Sequence, residues 1–244
     1  MSISIVLVKP EIPQNVGFIA RCMKCFGLAD LKIVGRKYGK SSLAYKTGAI
    51  AGEVLDRAEY FQTLPEALSS AHLALGFTRR RRDETSQRIE KLCQVVPALD
   101  FSLNTVLVFG CESRGLSRKE CLLMNRLIKI ELPNNGLSLN LSHAVAIALH
   151  EIFAHGMITG NPLVKSAAGR TGAAAGRNKG LMPPLFKKRE DTFQYLMDML
   201  EKKKVIRDEK ARAQMEYLRR LWQRATPDQK EIDFLMGLIA KAAC

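Results

Sequence analysis

No stretch of this 244-residue sequence reaches the roughly 18–20 consecutive apolar residues that a membrane-spanning helix needs. A membrane location is therefore not expected. The opening stretch MSISIVLVKPEIPQN has no basic leader and no small-residue cleavage site, so it does not read as a signal peptide. The six cysteines, Cys22, Cys25, Cys93, Cys111, Cys121 and Cys244, form no disulfide framework for a chain this long, and a reducing cytoplasm fits them. Cys22 and Cys25 have C-x-x-C spacing, but no second pair accompanies them. They read as packing residues on a partly apolar helix. His72, His143, His150 and His155 show no zinc-ligand spacing, and no metal is expected.

Three enzyme signatures are also missing. There is no G-x-G-x-x-G dinucleotide fingerprint. GRKYGKS at 35–41 has three residues between its glycines where a phosphate-wrapping P-loop has four. GCESRG at 110–115 has two residues before its serine where a nucleophile elbow has one.

Acidic residues are in deficit, 24 against 38 basic, for a net charge of +14. A field of that sign favours a polyanion, either nucleic acid or an anionic membrane surface. The excess is densest in the tail: residues 161–244 carry 18 basic and 10 acidic groups, residues 1–160 carry 20 and 14. At 47% hydrophobic and 25% charged, the composition is otherwise that of a globular protein able to bury a core.

What is present alternates. ISIVLV at 3–8 and TVLVF at 105–109 read as strands buried on both faces, with further strands over 31–34, 73–77 and 127–132. Val16, Ile19, Ala20 and Met23 repeat at helical spacing, with Gly27 at the C-terminal cap position. Thr63 with Glu66 opens a helix over 64–71, and Ser117 with Glu120 opens another through Met124. A long apolar helix follows over about 140–155. The pattern predicts an α/β domain with a mainly parallel sheet over 1–157. Residues 158–189, rich in Gly, Ala and basic side chains, read as a flexible basic linker. Residues 190–244 read as helices only, marked by Phe193, Leu196, Met197 and Leu200, then Met215, Leu218 and Trp222, then Ile232, Leu235, Met236 and Ile239.

Three segments at strand–helix junctions share an order and spacing. They are N-x-G-x-x-x-R at Asn15, Gly17 and Arg21; LVFGCESRGLS at 107–117; and LSLNLSHAV at 137–145. Taken singly, their glycines are turn residues, Asn140 a helix cap, and Glu112 and Arg114 a surface pair. Together they resemble the three motifs of the SpoU (TrmH-type) branch of the SPOUT RNA 2′-O-ribose methyltransferases, and LRRLWQRATPDQKEIDFLMGLI at 218–239 is similar to the helical extension of its bacterial TrmJ subgroup.

The resemblance implies a parallel sheet with a deep C-terminal trefoil knot, a small all-helical C-terminal extension that binds RNA, and a homodimer with shared active sites. It implies S-adenosyl-L-methionine bound by Phe77, Thr78, Arg79, Gly110, Glu112, Ile130, Leu137, Ser138 and Leu139. It implies Arg21, Asn15, Ser138 and Asn140 as catalytic residues. Arginine stays protonated in proteins, so Arg21 is read as holding a phosphate and easing ionisation of the ribose hydroxyl rather than as a base. The substrate implied is tRNA, at the ribose of cytidine or uridine 32 in the anticodon loop. Ribosomal RNA, another tRNA position, and a non-catalytic knotted RNA-binding protein are the alternatives.

Arg79, Arg80, Arg81, Arg82, Arg114, Lys202–Lys204, Arg219, Arg220 and Arg224 are candidate phosphate contacts. Tyr217 and Trp222 lie among the last group and are candidates to stack a base, although for Trp222 a place in a core is the commoner role.

Overall fold

Ile3–Val8 forms strand β1, and every residue in it is buried. Its side chains alternate between two cores. Ile3, Ile5 and Leu7 face one, and Val6 and Val8 face the other. That division explains an apolar run with no polar alternation. In this computed structural model residues 3–79, 89–100, 103–134, 137–158, 184–202 and 209–243 are described.

The other strands are β2 (Leu31–Val34), β3 (Glu59–Phe61), β4 (Leu73–Phe77), β5 (Ile89–Lys91), β6 (Thr105–Phe109) and β7 (Arg126–Lys129). They form one sheet in the order β3-β2-β1-β6-β4-β7-β5, and every pairing is parallel. Sequence periodicity found the five inner strands and missed β3 and β5, which are the two edges. Each has three residues, EYF and IEK, and is paired on one side only. Such a strand needs no apolar run. Strand β7 also ends at Lys129, three residues before the expected boundary.

One face of the sheet is covered by α1 (Pro13–Cys25), through Val16, Ile19, Ala20 and Met23, and by α7 (Leu141–Ile158), through Val145, Leu149 and Ile152. Gly27 follows α1 with φ 69, the left-handed cap its position suggests. Short helices α2 (Leu43–Gly48), α3 (Gly52–Asp56) and α5 (Leu92–Val95) complete that side. The other face carries α4 (Leu64–Leu68) and α6 (Arg118–Cys121). Both open with the expected capping boxes, Thr63 with Glu66 and Ser117 with Glu120. Helix α6 is a single turn that stops short of Met124.

Among the described residues three further helices follow, α8 (Phe186–Lys202), α9 (Glu209–Ala225) and α10 (Gln229–Ala243). Their own core is Phe193, Met197, Trp222 and Ile232. They are seated on the α/β body. The Phe186 ring joins the α4–α6 core, and its N–H donates to Ala71 O at 2.7 Å. Arg189, 1% exposed, donates from Nη1 to His72 O at 2.8 Å. The Asn125 amide bridges body and helices, accepting from Ala74 N and donating to Gln223 O. Helix α8 starts at Phe186, within the 158–189 stretch. Among the described residues, no helix is long and apolar enough to cross a membrane.

Candidate active site

Parallel pairing brings the carboxyl ends of β1, β6, β4 and β7 to one edge of the sheet, where α/β proteins bind ligands. The chain beyond three of these strands encloses a pocket. Its lining comes from Phe77 at the end of β4 with Thr78 and Arg79 after it, residues 110–115 after β6, and Ile130 and Leu132 after β7. Ser138, Leu139, Leu141 and Ala144 close it at the start of α7. Phe77 and Phe109 are register partners on adjacent strands, and their rings stack at 4.4 Å between centroids. One wall is thus a rigid apolar surface, and the rim is loop backbone.

Gly110 sets the path of the β6 loop. The chain turns back on itself there, with Gly115 N donating to Cys111 O at 2.8 Å. A Cβ on residue 110 would lie 2.1 Å from the carbonyl carbon of Gly115 and 2.2 Å from Leu116 N. Both are backbone atoms that cannot move aside alone. Only glycine permits this turn.

One hydrogen-bonded chain joins the three sequence segments. Asn15, 3% exposed on α1, donates from Nδ2 to Glu112 Oε1 at 2.7 Å. Its Oδ1 accepts from Asn140 Nδ2 at 3.0 Å. Asn140 Oδ1 in turn accepts from Ser142 N at 2.8 Å and caps the first turn of α7. Glu112 also accepts from Glu11 N at 2.8 Å and Ile12 N at 3.2 Å, so its carboxylate sits at the N-terminus of α1, where the helix dipole favours negative charge. The clasp is reciprocal, because Ser113 Oγ donates to Glu11 Oε1 at 2.6 Å and Ser113 N to Glu11 Oε2 at 3.2 Å. The Ser113 hydroxyl, more than any other neighbour, holds the Glu11 carboxyl below its usual pKa.

Of the cofactor residues expected from sequence, all but one line the pocket. Leu137 is 65% exposed and does not. Glu112 lines it and also braces α1. Ser138 lines it, while Asn15 and Asn140 hold the motif loops together behind it. Arg21 stands apart, exposed on α1 and six residues, about 9 Å, beyond Asn15 along the helix axis. It shares a surface with Phe18, which is 46% exposed.

Of the candidate RNA contacts, Arg79 and Arg114 stand on the pocket rim. Arg80, Arg81, Arg82, Lys203 and Lys204 lie outside the described residues. Arg219 is tied down by Glu190 at 2.8 Å and packed over the Phe193 ring at 4.5 Å. Arg220 lies over the exposed Tyr217 ring, and Arg224 is exposed. Trp222 is 9% exposed and donates to Arg189 O, so it belongs to the helical core and offers no free face for a base. Sequence reasoning overlooked Glu11 and Ser113, since nothing local links residues 102 positions apart.

Residues 2–150 match the model of the SpoU rRNA Methylase family. The tRNA (cytidine/uridine-2′-O-)-methyltransferase TrmJ of Salmonella choleraesuis is 30% identical over 242 residues, which cover 98% of this chain and 95% of that one. The tRNA (cytidine-2′-O-)-methyltransferase TrmJ of Methanocaldococcus jannaschii is 35% identical over 156 residues, covering 62% of this chain and 67% of that one. The crystal structure of TrmJ from Z. mobilis ZM4 superposes over the full length of both chains with a TM-score of 0.79 at 23% identity.

Proposed function

Since the chain belongs to the SpoU rRNA Methylase family, we propose that it is an S-adenosylmethionine-dependent methyltransferase acting on the ribose 2′-hydroxyl of cytidine or uridine 32 in tRNA. The observation that carries this reading is the Glu112–Asn15–Asn140 chain, which locks all three motif segments around one pocket. Likeness to the TrmJ enzymes over nearly the whole chain supports tRNA over ribosomal RNA.

The pocket suits the cofactor. Stacked Phe77 and Phe109 with Leu132 and Leu141 offer apolar surface for an adenosine, and the loops at 78–79, 110–112, 130 and 138–139 offer backbone polar groups around it. When bound, S-adenosylmethionine supplies an electrophilic methyl whose thioether leaving group departs without further activation. The chain's own task is placement of the ribose oxygen and easing of its ionisation, the proton passing to solvent. Asn15 and Asn140 fix the motif loops, and Ser138 faces the pocket with a hydroxyl able to orient the ribose. Arg21 is a fixed positive charge, suited to a phosphate of the target nucleotide and to stabilising the developing oxyanion.

The further reading is a homodimer whose Arg21 serves the partner's pocket. Its support is that Arg21 is not among the residues lining the pocket of its own chain, and that Phe18 and Ile147 are exposed apolar residues on the mutually packed α1 and α7. A trefoil knot is what membership of the family implies, and the loops after β4, β6 and β7 around the pocket are where it would form. The domain division is read as a catalytic body over 1–157, a linker to 189 whose last four residues already belong to α8, and an RNA-gripping extension over 190–244, in the cytoplasm.

The decisive experiment is methyl transfer from labelled S-adenosylmethionine to unmodified tRNA, followed by ribose-methylation mapping. A single modified ribose at position 32 is expected. Transfer to ribosomal RNA alone, or to another tRNA position, would replace the proposed substrate site.

A further inference from the structure

The loop at 35–41 fails as a P-loop, yet its charge and its placement remain to be explained. It leaves β2 at the same sheet edge as the pocket. Tyr38, 4% exposed, anchors it by donating from its hydroxyl to Pro10 O at 2.9 Å. Pro10 is followed by Glu11 and Ile12, whose N–H groups donate to Glu112 on the pocket wall. The loop is thus coupled to the pocket through two short links.

Around that anchor stand exposed cations. Arg36 lies over the Tyr38 ring with its guanidinium carbon 5.1 Å from the centroid, and Lys37 lies 5.8 Å from the Tyr60 centroid. Lys40 is exposed, with an acidic neighbour only at 3.9 Å, Asp56. Rings that are themselves held in place restrict the cations above them, which lowers the ordering cost of gripping an anion. Lys9 adds a further cation from the end of β1. Its φ is +49, a left-handed conformation that costs a non-glycine residue free energy and gathers at functional sites. Its Cα lies against Gly35. On its other side Lys9 borders a groove with an apolar floor of Val34, Leu64 and Leu122. Lys119 stands on the far rim beside Glu120, and Arg219 stands there paired with Glu190. The exposed cations therefore run from beside the pocket to a groove that borders the C-terminal helices.

We propose that Lys9, Arg36, Lys37 and Lys40 form a ridge that grips backbone phosphates of the substrate RNA and carries the strand between the pocket and helices α8 and α9. A polyanion with regularly spaced charges matches several cations strung along one edge, and stacked arginine is well suited to phosphate. The inference rests on the proposed RNA substrate, but its test has its own readout.

The test compares the full-length protein with R36Q/K37Q/K40Q, a variant that alters exposed side chains only. tRNA binding is measured by filter retention across a salt series, S-adenosylmethionine binding by calorimetry, and methyl transfer under steady state. Each phosphate contact contributes roughly 0.7–0.9 to the log–log salt slope, so the slope should fall by about 2 in the variant. KM for tRNA should rise at least about tenfold while kcat and cofactor affinity hold. Tyr38→Phe, which removes the anchor and keeps the charge, should raise KM less and leave the slope intact. An unchanged slope in the triple variant overturns the ridge, whatever methyl transfer shows. A wild-type protein that transfers no methyl, while the variant still shows the expected fall in slope, would overturn the proposed activity and leave the ridge standing. Binding of the wild type but not the variant to anionic vesicles, with no difference on tRNA, would assign the loop to a membrane surface instead and overturn the ridge.

Discussion

Asn140 Nδ2 donates to Asn15 Oδ1 at 3.0 Å across 125 residues of sequence, and the other end of the Asn15 amide donates to Glu112. A single buried amide thereby keeps the starts of α1 and α7 in register with the loop after β6. Hydrogen bonds of this kind contribute modestly when made and cost more when one partner is lost, particularly where a carboxylate is involved.

Asn15→Ala should therefore lower stability by about 1–3 kcal/mol and methyl transfer by tenfold or more. Asn15→Asp is the sharper variant, because it faces one carboxylate with another. Repulsion lifts the new carboxyl above its ordinary pKa, and once protonated it donates as the amide did. Its urea midpoint should thus lie closer to wild type at pH 5.5 than at pH 7.5. A variant gap that does not depend on pH would mean the Asn15–Glu112 contact is not what fixes the loop.

Gly110→Ala tests the path of the β6 loop. The added methyl meets two backbone atoms at 2.1 and 2.2 Å, so the loop must shift. We expect overpacking to cost about 1–3 kcal/mol, and S-adenosylmethionine affinity measured by calorimetry to fall at least tenfold. Full cofactor affinity would show that the turn does not shape the pocket.

Arg21→Ala separates chemistry from binding. One phosphate contact among many is a small share of RNA affinity, so tRNA binding should change little by filter retention. Turnover should drop about a hundredfold or more. If Arg21 serves the partner's pocket, mixing this variant with Asn15→Ala under exchange conditions should restore part of the lost activity. No recovery would place Arg21 at the pocket of its own chain.

Two C-terminal arginines should not behave alike. Arg224 is exposed, and Arg224→Gln should weaken tRNA binding and leave thermal stability alone. Arg219 holds Glu190 and covers Phe193 with little exposure, so Arg219→Gln should lower the melting temperature of the helical extension. Scanning calorimetry with filter binding on both variants checks the division.

The seat of the extension should respond to acid. Burial, and then the nearby Arg189 guanidinium, hold His72 below its usual pKa, while its Nδ1 accepts from Asn104 N at 3.1 Å. In the unfolded chain His72 takes up a proton near its ordinary value of 6.5. The folded state resists doing so, which makes the unfolded state bind more protons just below that pH. Stability should therefore fall as pH drops below about 6.5. In His72→Asn, whose amide oxygen can still accept from Asn104, the urea midpoint should lose part of that dependence between pH 7 and 5. An identical slope in both proteins would place the acid sensitivity elsewhere.

Buried Arg189 shows where local sequence stops being informative. Its guanidinium is held in the fold at a pKa of about 10 by burial, with one hydrogen bond from Nη1 to His72 O and none for Nε or Nη2. Nothing in the sequence around it distinguishes it from the exposed Lys187 and Lys188 that precede it in the same helix. By contrast, the inner strands, the two capping boxes, the Gly27 cap and most of the stripes of α8 to α10 were legible, with Leu235 exposed. Each follows from a period of two or 3.6, or from a side chain bonding backbone within one turn.

By itself, then, the sequence determined the parallel α/β plan, the family resemblance and the residues of the motifs, because those are matters of local pattern and spacing. Tertiary structure decided which strands became edges and that the three-residue β3 and β5 exist at all. It decided that Trp222 lies in a core and that Glu112 braces α1 as well as lining the pocket. It also set a failed P-loop beside the pocket through Tyr38 and Pro10. Each of these depends on residues far apart in the chain meeting at one edge of the sheet, and only the closed fold sets which of them meet.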